Sequence, residues 1–192
     1  MRVITRWPRV AWLCTAGLAA IAAAVSAAFA PAAAVGAAAH QVTLGSTTGT
    51  PSANICVASI RCTYLPIQPA KLRVPFNGTV TQFRVKAGSA TGTVWLRVLR
   101  PAGGGKFTGV GTSGPRALGL GVSTFTVSLR VKAGDLIGLD NDSSALIFDT
   151  SGATAITDYY ELPPLGNGQT AAPNNVQAGD RLLLSATVKR TS

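Results

Sequence analysis

Basic side chains dominate the residues able to do chemistry in this chain. From His40 to Lys132 there are eleven lysines and arginines and no carboxylate. From Ala133 onward there are seven carboxylates and three bases. Arg84, Arg97 and Arg130 fall at polar positions of alternating segments, and Trp95 shares its side with Arg97. Guanidinium groups bind carboxylates and phosphates through paired donors, and an indole ring stacks on sugar rings and cations. A surface of these residues would bind carbohydrate or a polyanion. A solvated strand face, with Trp95 covered by a loop, is the other reading. Tyr159 and Tyr160, near Leu165, offer a second aromatic site at a loop rim.

Catalytic groups are scarce. His40 is the single histidine, and Ser-His-Asp or Cys-His chemistry needs one to move a proton. The segment Gly111–Pro115 lacks the G-x-S-x-G spacing of a nucleophile elbow. Paired carboxylates hydrolyse glycosides, and Asp135, Asp140, Asp142, Asp149, Asp158, Glu161 and Asp180 are available. Most flank turns, where Asp bonds its own backbone. Asp140-Asn141-Asp142 could offer oxygens to a structural calcium, with an Asx turn as the alternative.

The elements that position these residues are strands. Phe125, Val127, Leu129 and Val131 alternate with Thr126, Ser128, Arg130 and Lys132, so one face meets a core and the other meets water. Ala133-Gly134-Asp135 then turns the chain into Leu136–Leu139. The segment 83–92 (FRVKAGSATG) matches 129–138 (LRVKAGDLIG) at six of ten positions, and 176–184 (VQAGDRLLL) echoes both. Convergence on a strand–Ala-Gly–strand corner explains this better than a repeat does. Further strands are expected at 63–67, 71–75, 80–86, 93–100, 107–110, 144–150, 155–160 and 181–189. Residues 162–177, rich in Pro, Gly and Asn, read as a long loop. Eight or nine short strands without a convincing helix predict an all-β, antiparallel two-sheet sandwich of jelly-roll type.

Residues 1–39 stand apart. Arg2, Arg6 and Arg9 precede an apolar run over 10–30, and Ala37-Ala38-Ala39 ends the stretch. This is the layout of a signal peptide, with an uncleaved anchor as the alternative. Cleavage would leave one domain over 40–192, with 14 basic and 7 acidic residues and no membrane span. That +7 balance favours anionic envelope polymers or other polyanions, with no sign of specific nucleic-acid recognition; a plain solubility charge is the bland reading. In an oxidising compartment Cys56 and Cys62 pair; free thiols are the other possibility.

These features together resemble an uncharacterised family of secreted proteins from high-GC bacteria. The residues that carry the likeness are Cys56/Cys62, Val74–Thr81, Leu96–Arg100 and Ala133–Leu139. The resemblance implies a secreted β-sandwich and no particular activity. The expectation is a secreted, non-enzymatic module that binds carbohydrate or an anionic envelope polymer. A structural or adhesive surface protein is the alternative, and a carboxylate-based glycoside hydrolase comes last.

Overall fold

The alternating segments do form strands, but neighbours in sequence seldom pair. A computed structural model describes residues 40–56, 61–68, 72–88, 92–142, 145–151, 154–161 and 163–191. The chain divides into Met1–Gly36 and Ala37–Ser192, and all described residues belong to the second unit. The expected signal peptide, 1–39, lies outside them. No helix among the described residues is long and apolar enough to cross a membrane.

The strands are β1 (Gln41–Gly45), β2 (Cys62–Gln68), β3 (Gly78–Ala87), β4 (Thr93–Gly103), β5 (Lys106–Thr112), β6 (Arg116–Ala117) and β7 (Gly121–Val131). They continue with β8 (Leu136–Asn141), β9 (Phe148–Asp149), β10 (Ile156–Tyr160), β11 (Thr170–Ala171), β12 (Asn175–Ala178), β13 (Arg181–Leu182) and β14 (Leu184–Arg190). Among the described residues all named strands pair antiparallel, and one isolated bridge, Gly109 to Asn167, is parallel. A four-stranded sheet runs β1-β14-β3-β7. A larger, curled half-barrel sheet runs β11-β5-β4-β8-β2-β10-β12, with β6 beside β4. A small sheet pairs β13 with β9.

The three Ala-Gly echoes share one job. At Ala87-Gly88 the chain leaves β3 in the four-stranded sheet for β4 in the large one. At Ala133-Gly134 it passes from β7 to β8, again between sheets. At Ala178-Gly179 it leaves β12 in the large sheet and reaches β14 in the smaller one by way of β13. Gly134 and Gly179 have φ of 90° and 87°, the left-handed region that glycine enters without a Cβ penalty. The segment 125–139 therefore turns a corner from one sheet to the other.

One core joins the two larger sheets. Val80, Phe83, Val85, Leu184 and Val188 from the four-stranded sheet meet Leu96, Val98, Ile137, Leu139 and Tyr64 from the large one. A second cluster of Leu65, Leu99, Leu136, Tyr160 and Leu165 covers the opposite face of the large sheet. Strands β2, β4 and β8 are thus buried on both sides, and all six residues of β8 are buried. Cys56 and Cys62 form a disulfide with a Cα–Cα distance of 6.2 Å. Nearby, the Tyr64 hydroxyl donates to Asn54 Oδ1 (3.0 Å), and the Tyr64 ring meets Phe148 edge-on at 4.9 Å.

Local expectations fail in several places, and the long loop expected over 162–177 carries β11 and most of β12. A bulge between Val80 and Gln82 shifts the alternation expected along 80–86, so Val80 is buried and Thr81 half-exposed. Of the strand expected at 71–75, Arg73 makes an isolated bridge to Leu136, and Lys71 lies outside the described residues. The strand expected from Ser144, also outside them, is confined to β9.

Candidate functional site

The sequence-predicted binding residues separate into different places. Arg84 and Arg130 are exposed on adjacent strands β3 and β7 of the four-stranded sheet, opposite Thr124 and Thr79 respectively. Trp95 and Arg97 belong to β4 in the other sheet, so the single basic face expected from Arg84, Arg97 and Arg130 does not form. Arg97 is 3% exposed, because residues 163–171 cover the side of β4 that alternation assigns to water. Tyr160 is 3% exposed, belongs to the second cluster, and donates its hydroxyl to the Ala171 carbonyl (3.0 Å). Burial pushes the Tyr160 phenol up to about 12, with Asp158 adding to the shift. Tyr159 is half-buried and leans on Tyr64, ring centroids 6.2 Å apart. Tyr160 and Leu165 do line a hollow of about 350 Å³ beside residues 163–174, whereas Tyr159 packs toward Tyr64.

The first assembly of interest surrounds Asp140. Its Oδ2 accepts from Arg61 Nε (3.1 Å) and Nη2 (2.6 Å), and its Oδ1 accepts from the Thr63 hydroxyl (2.7 Å). Arg97 Nε stands 3.5 Å from Oδ1. Arg97 also donates to the Thr112 hydroxyl and the Leu165 carbonyl. Burial pushes the Asp140 carboxyl up, against the pull of Arg97, Thr63 and Arg61; burial lowers Arg97 against the pull of Asp140. The Arg61 guanidinium lies 4.0 Å over the Trp95 ring. Arg61, Trp95, Thr112, Pro164, Gly166 and Asn167 line a cleft of about 340 Å³ above this network.

Both Asp140 oxygens are committed to protein donors, and Asp142 Oδ1 accepts the Thr93 N–H (2.9 Å). Among the described residues no group of three or more His, Cys, Asp or Glu is placed to hold a metal ion.

The second assembly lies at the Ala133-Gly134 corner. Asp135 is 1% exposed and accepts two bonds from Arg100, Nε to Oδ1 (2.8 Å) and Nη2 to Oδ2 (3.0 Å), plus the Lys132 N–H (2.8 Å). This bidentate pair ties Leu96–Arg100 to Ala133–Leu139, two of the segments that carry the family resemblance. Arg73 donates to the Gly134 carbonyl (3.1 Å). Arg100, Arg130 and Lys132 border a groove of about 670 Å³ with Asn77, Thr79 and Ser128. Arg100 and Lys132 also border an adjoining hollow of about 330 Å³ that Arg73 enters. Among the described residues Asp135 is the one carboxylate lining either space, and Arg100 already matches its charge. Sequence reasoning missed Arg61, Arg73, Arg100 and Asn167 as site residues. For Arg100 a signal existed, since its strand motif and the A-G-D corner stand out together.

No protein-family model, curated protein or solved structure matches the chain. What stands is an all-β protein of several antiparallel sheets, without an assigned family.

Proposed function

We propose that this protein is an exported, non-enzymatic module that binds an anionic polysaccharide or related polyanion of the cell envelope. One observation carries the reading. Arg73, Arg100, Arg130 and Lys132 gather around two connected hollows whose single carboxylate, Asp135, is neutralised within the protein. Arg130 and Lys132 have no acidic partner among the described residues. Positive charge concentrated in a concavity raises the local concentration of a polyanion and speeds its capture.

The finer fold belongs to the same proposal. The strand order supports a jelly-roll sandwich, because β1-β14-β3-β7 in one sheet interleaves with β2-β8-β4-β5 in the other, as two Greek keys require. On this reading β9–β13 are an insertion between the last two strands of the roll. The family resemblance is retained only as part of this proposal.

The test compares binding of the protein to polygalacturonate, polyphosphate and neutral dextran at rising salt. Binding to the two polyanions, weakening with salt as exposed charges are screened, is expected. The double variant Arg130→Ser/Lys132→Ser should weaken it at least about tenfold while the fold persists, since surface changes cost within about 0.5 kcal/mol each. Equal binding to dextran, or binding indifferent to salt, overturns the proposal.

A further inference from the structure

We infer that the cleft beside Trp95 is a second binding site, separate from the basic groove, which takes one anionic sugar ring by its acid group. The inference starts from which polar atoms are left over. Arg61 spends Nε and Nη2 on Asp140 Oδ2, at 3.1 and 2.6 Å, which fixes the plane of its guanidinium. Its Nη1 has no partner among the described residues. Its side chain is 38% exposed, so this donor is available at the cleft. Asn167 uses Oδ1 to accept the Thr112 hydroxyl (2.8 Å), which leaves its Nδ2 donors. Two acceptors nearby are engaged: Asp140 accepts from Arg61 and Thr63, with Arg97 Nε 3.5 Å from it as an ion pair, and the Leu165 carbonyl accepts from Arg97.

The cleft therefore offers donors and a surplus positive charge, two guanidiniums against one carboxylate. Such a site selects a ligand rich in acceptors and negatively charged. A bare inorganic anion would not use the remaining walls. Trp95 and Pro164 present apolar surface beside the donors, which suits the C–H faces of a sugar ring. The volume, about 340 Å³, falls within the range of small-ligand pockets. The site is also pre-set: Arg61 precedes Cys62 of the disulfide, pairs with Asp140 and sits 4.0 Å over the Trp95 ring, so little side-chain freedom remains to be lost on binding.

The experiment titrates the protein with D-glucuronate, glucose 6-phosphate, glucose and inorganic phosphate, followed by calorimetry or by NMR of the Trp95 indole. Both anionic sugars should bind, separating carboxylate from phosphate as the preferred acid group, while glucose and inorganic phosphate bind at least about tenfold more weakly. Arg61→Gln should reduce glucuronate affinity about ten- to a hundredfold, the loss expected for a charge-assisted bond. Asn167 is exposed, so Asn167→Ala should leave the melting temperature unchanged while lowering affinity severalfold; it decides the case if Arg61→Gln disturbs folding. The groove variant Arg130→Ser/Lys132→Ser should bind glucuronate like the wild type, so failure of the groove and failure of the cleft are told apart. Glucuronate binding no tighter than glucose, inorganic phosphate binding as well as glucuronate, or normal affinity in Asn167→Ala overturns the inference.

Discussion

Replacing Asp140 tests how far the fold depends on charge sealed inside it. The Asp140 side chain is 1% exposed and that of Arg97 4%. In Asp140→Leu the Arg97 guanidinium stays buried, charged and bonded only to neutral oxygens of Thr112 and Leu165. Stranding one partner of a buried ion pair costs about 3–5 kcal/mol, whereas removing both partners in favour of apolar residues is often neutral. At about 2–4 °C per kcal/mol for a domain of this size, the single variant should melt about 6–20 °C lower. The pair Arg97→Met/Asp140→Leu should return to within about 2 kcal/mol of the wild type. Arg61 can then turn to water, and Thr63 Oγ1 still accepts the Leu165 N–H (3.1 Å). Denaturant unfolding of the wild type, both single variants and the double variant gives the coupling directly. A cost below about 1 kcal/mol for Asp140→Leu, or single costs that simply add, would refute the picture of a sealed, mutually dependent pair.

Three further outcomes are expected. Ser151, through its hydroxyl and its N–H, and then Arg181 hold the Asp149 carboxyl down at about 2, against 3.8 for a free side chain. Its contribution to stability is present above pH 3.8 and lost as pH falls through 2, so Asp149→Asn should flatten the acid unfolding curve in that window. Cys56→Ser/Cys62→Ser, or reduction of the bridge, should cost about 2.4 kcal/mol in the chain-entropy account of so short a loop, measured by chemical denaturation. Gly109→Ala places a methyl group against the Gly166 carbonyl and 2.8 Å from Arg97 Nη2. It should destabilise by about 1–3 kcal/mol and speed exchange of the Gly168 N–H, which bonds the Gly109 carbonyl at 2.7 Å.

Strand positions were legible because alternation is a local signal, and β7 follows the expected pattern residue by residue. Strand partners were not, since nothing in 125–140 says that its halves enter different sheets. Arg97 shows the same gap. Its place on the polar side of β4 was read correctly, but the segment that covers that side arrives nearly seventy residues later. Arg130 and Lys132 were visible as outward charges beside the corner. Arg73 and Arg100 join them only because an isolated bridge from Arg73 to Leu136 and the Arg100–Asp135 pair close the space. The uneven split of charge along the chain also resolves in three dimensions. Asp135 and Asp140, from the acidic part, are used to hold Arg100, Arg61 and Arg97 from the basic part.

The place of β14 sets an order of assembly. It lies between β1 and β3, so Leu44 faces Ala186 across one edge and Leu184 faces Val85 across the other. Thr43 and Thr187, which touch, are 144 residues apart in the chain. A polypeptide that emerges from its N-terminal end must therefore wait with β1 unpaired and one edge of β3 open until nearly all of it has been made. Contacts of such long reach slow folding, because the loop must close before any pairing repays it. The last strand works as a keystone: the four-stranded sheet locks only when β14 slides into the gap kept for it between β1 and β3.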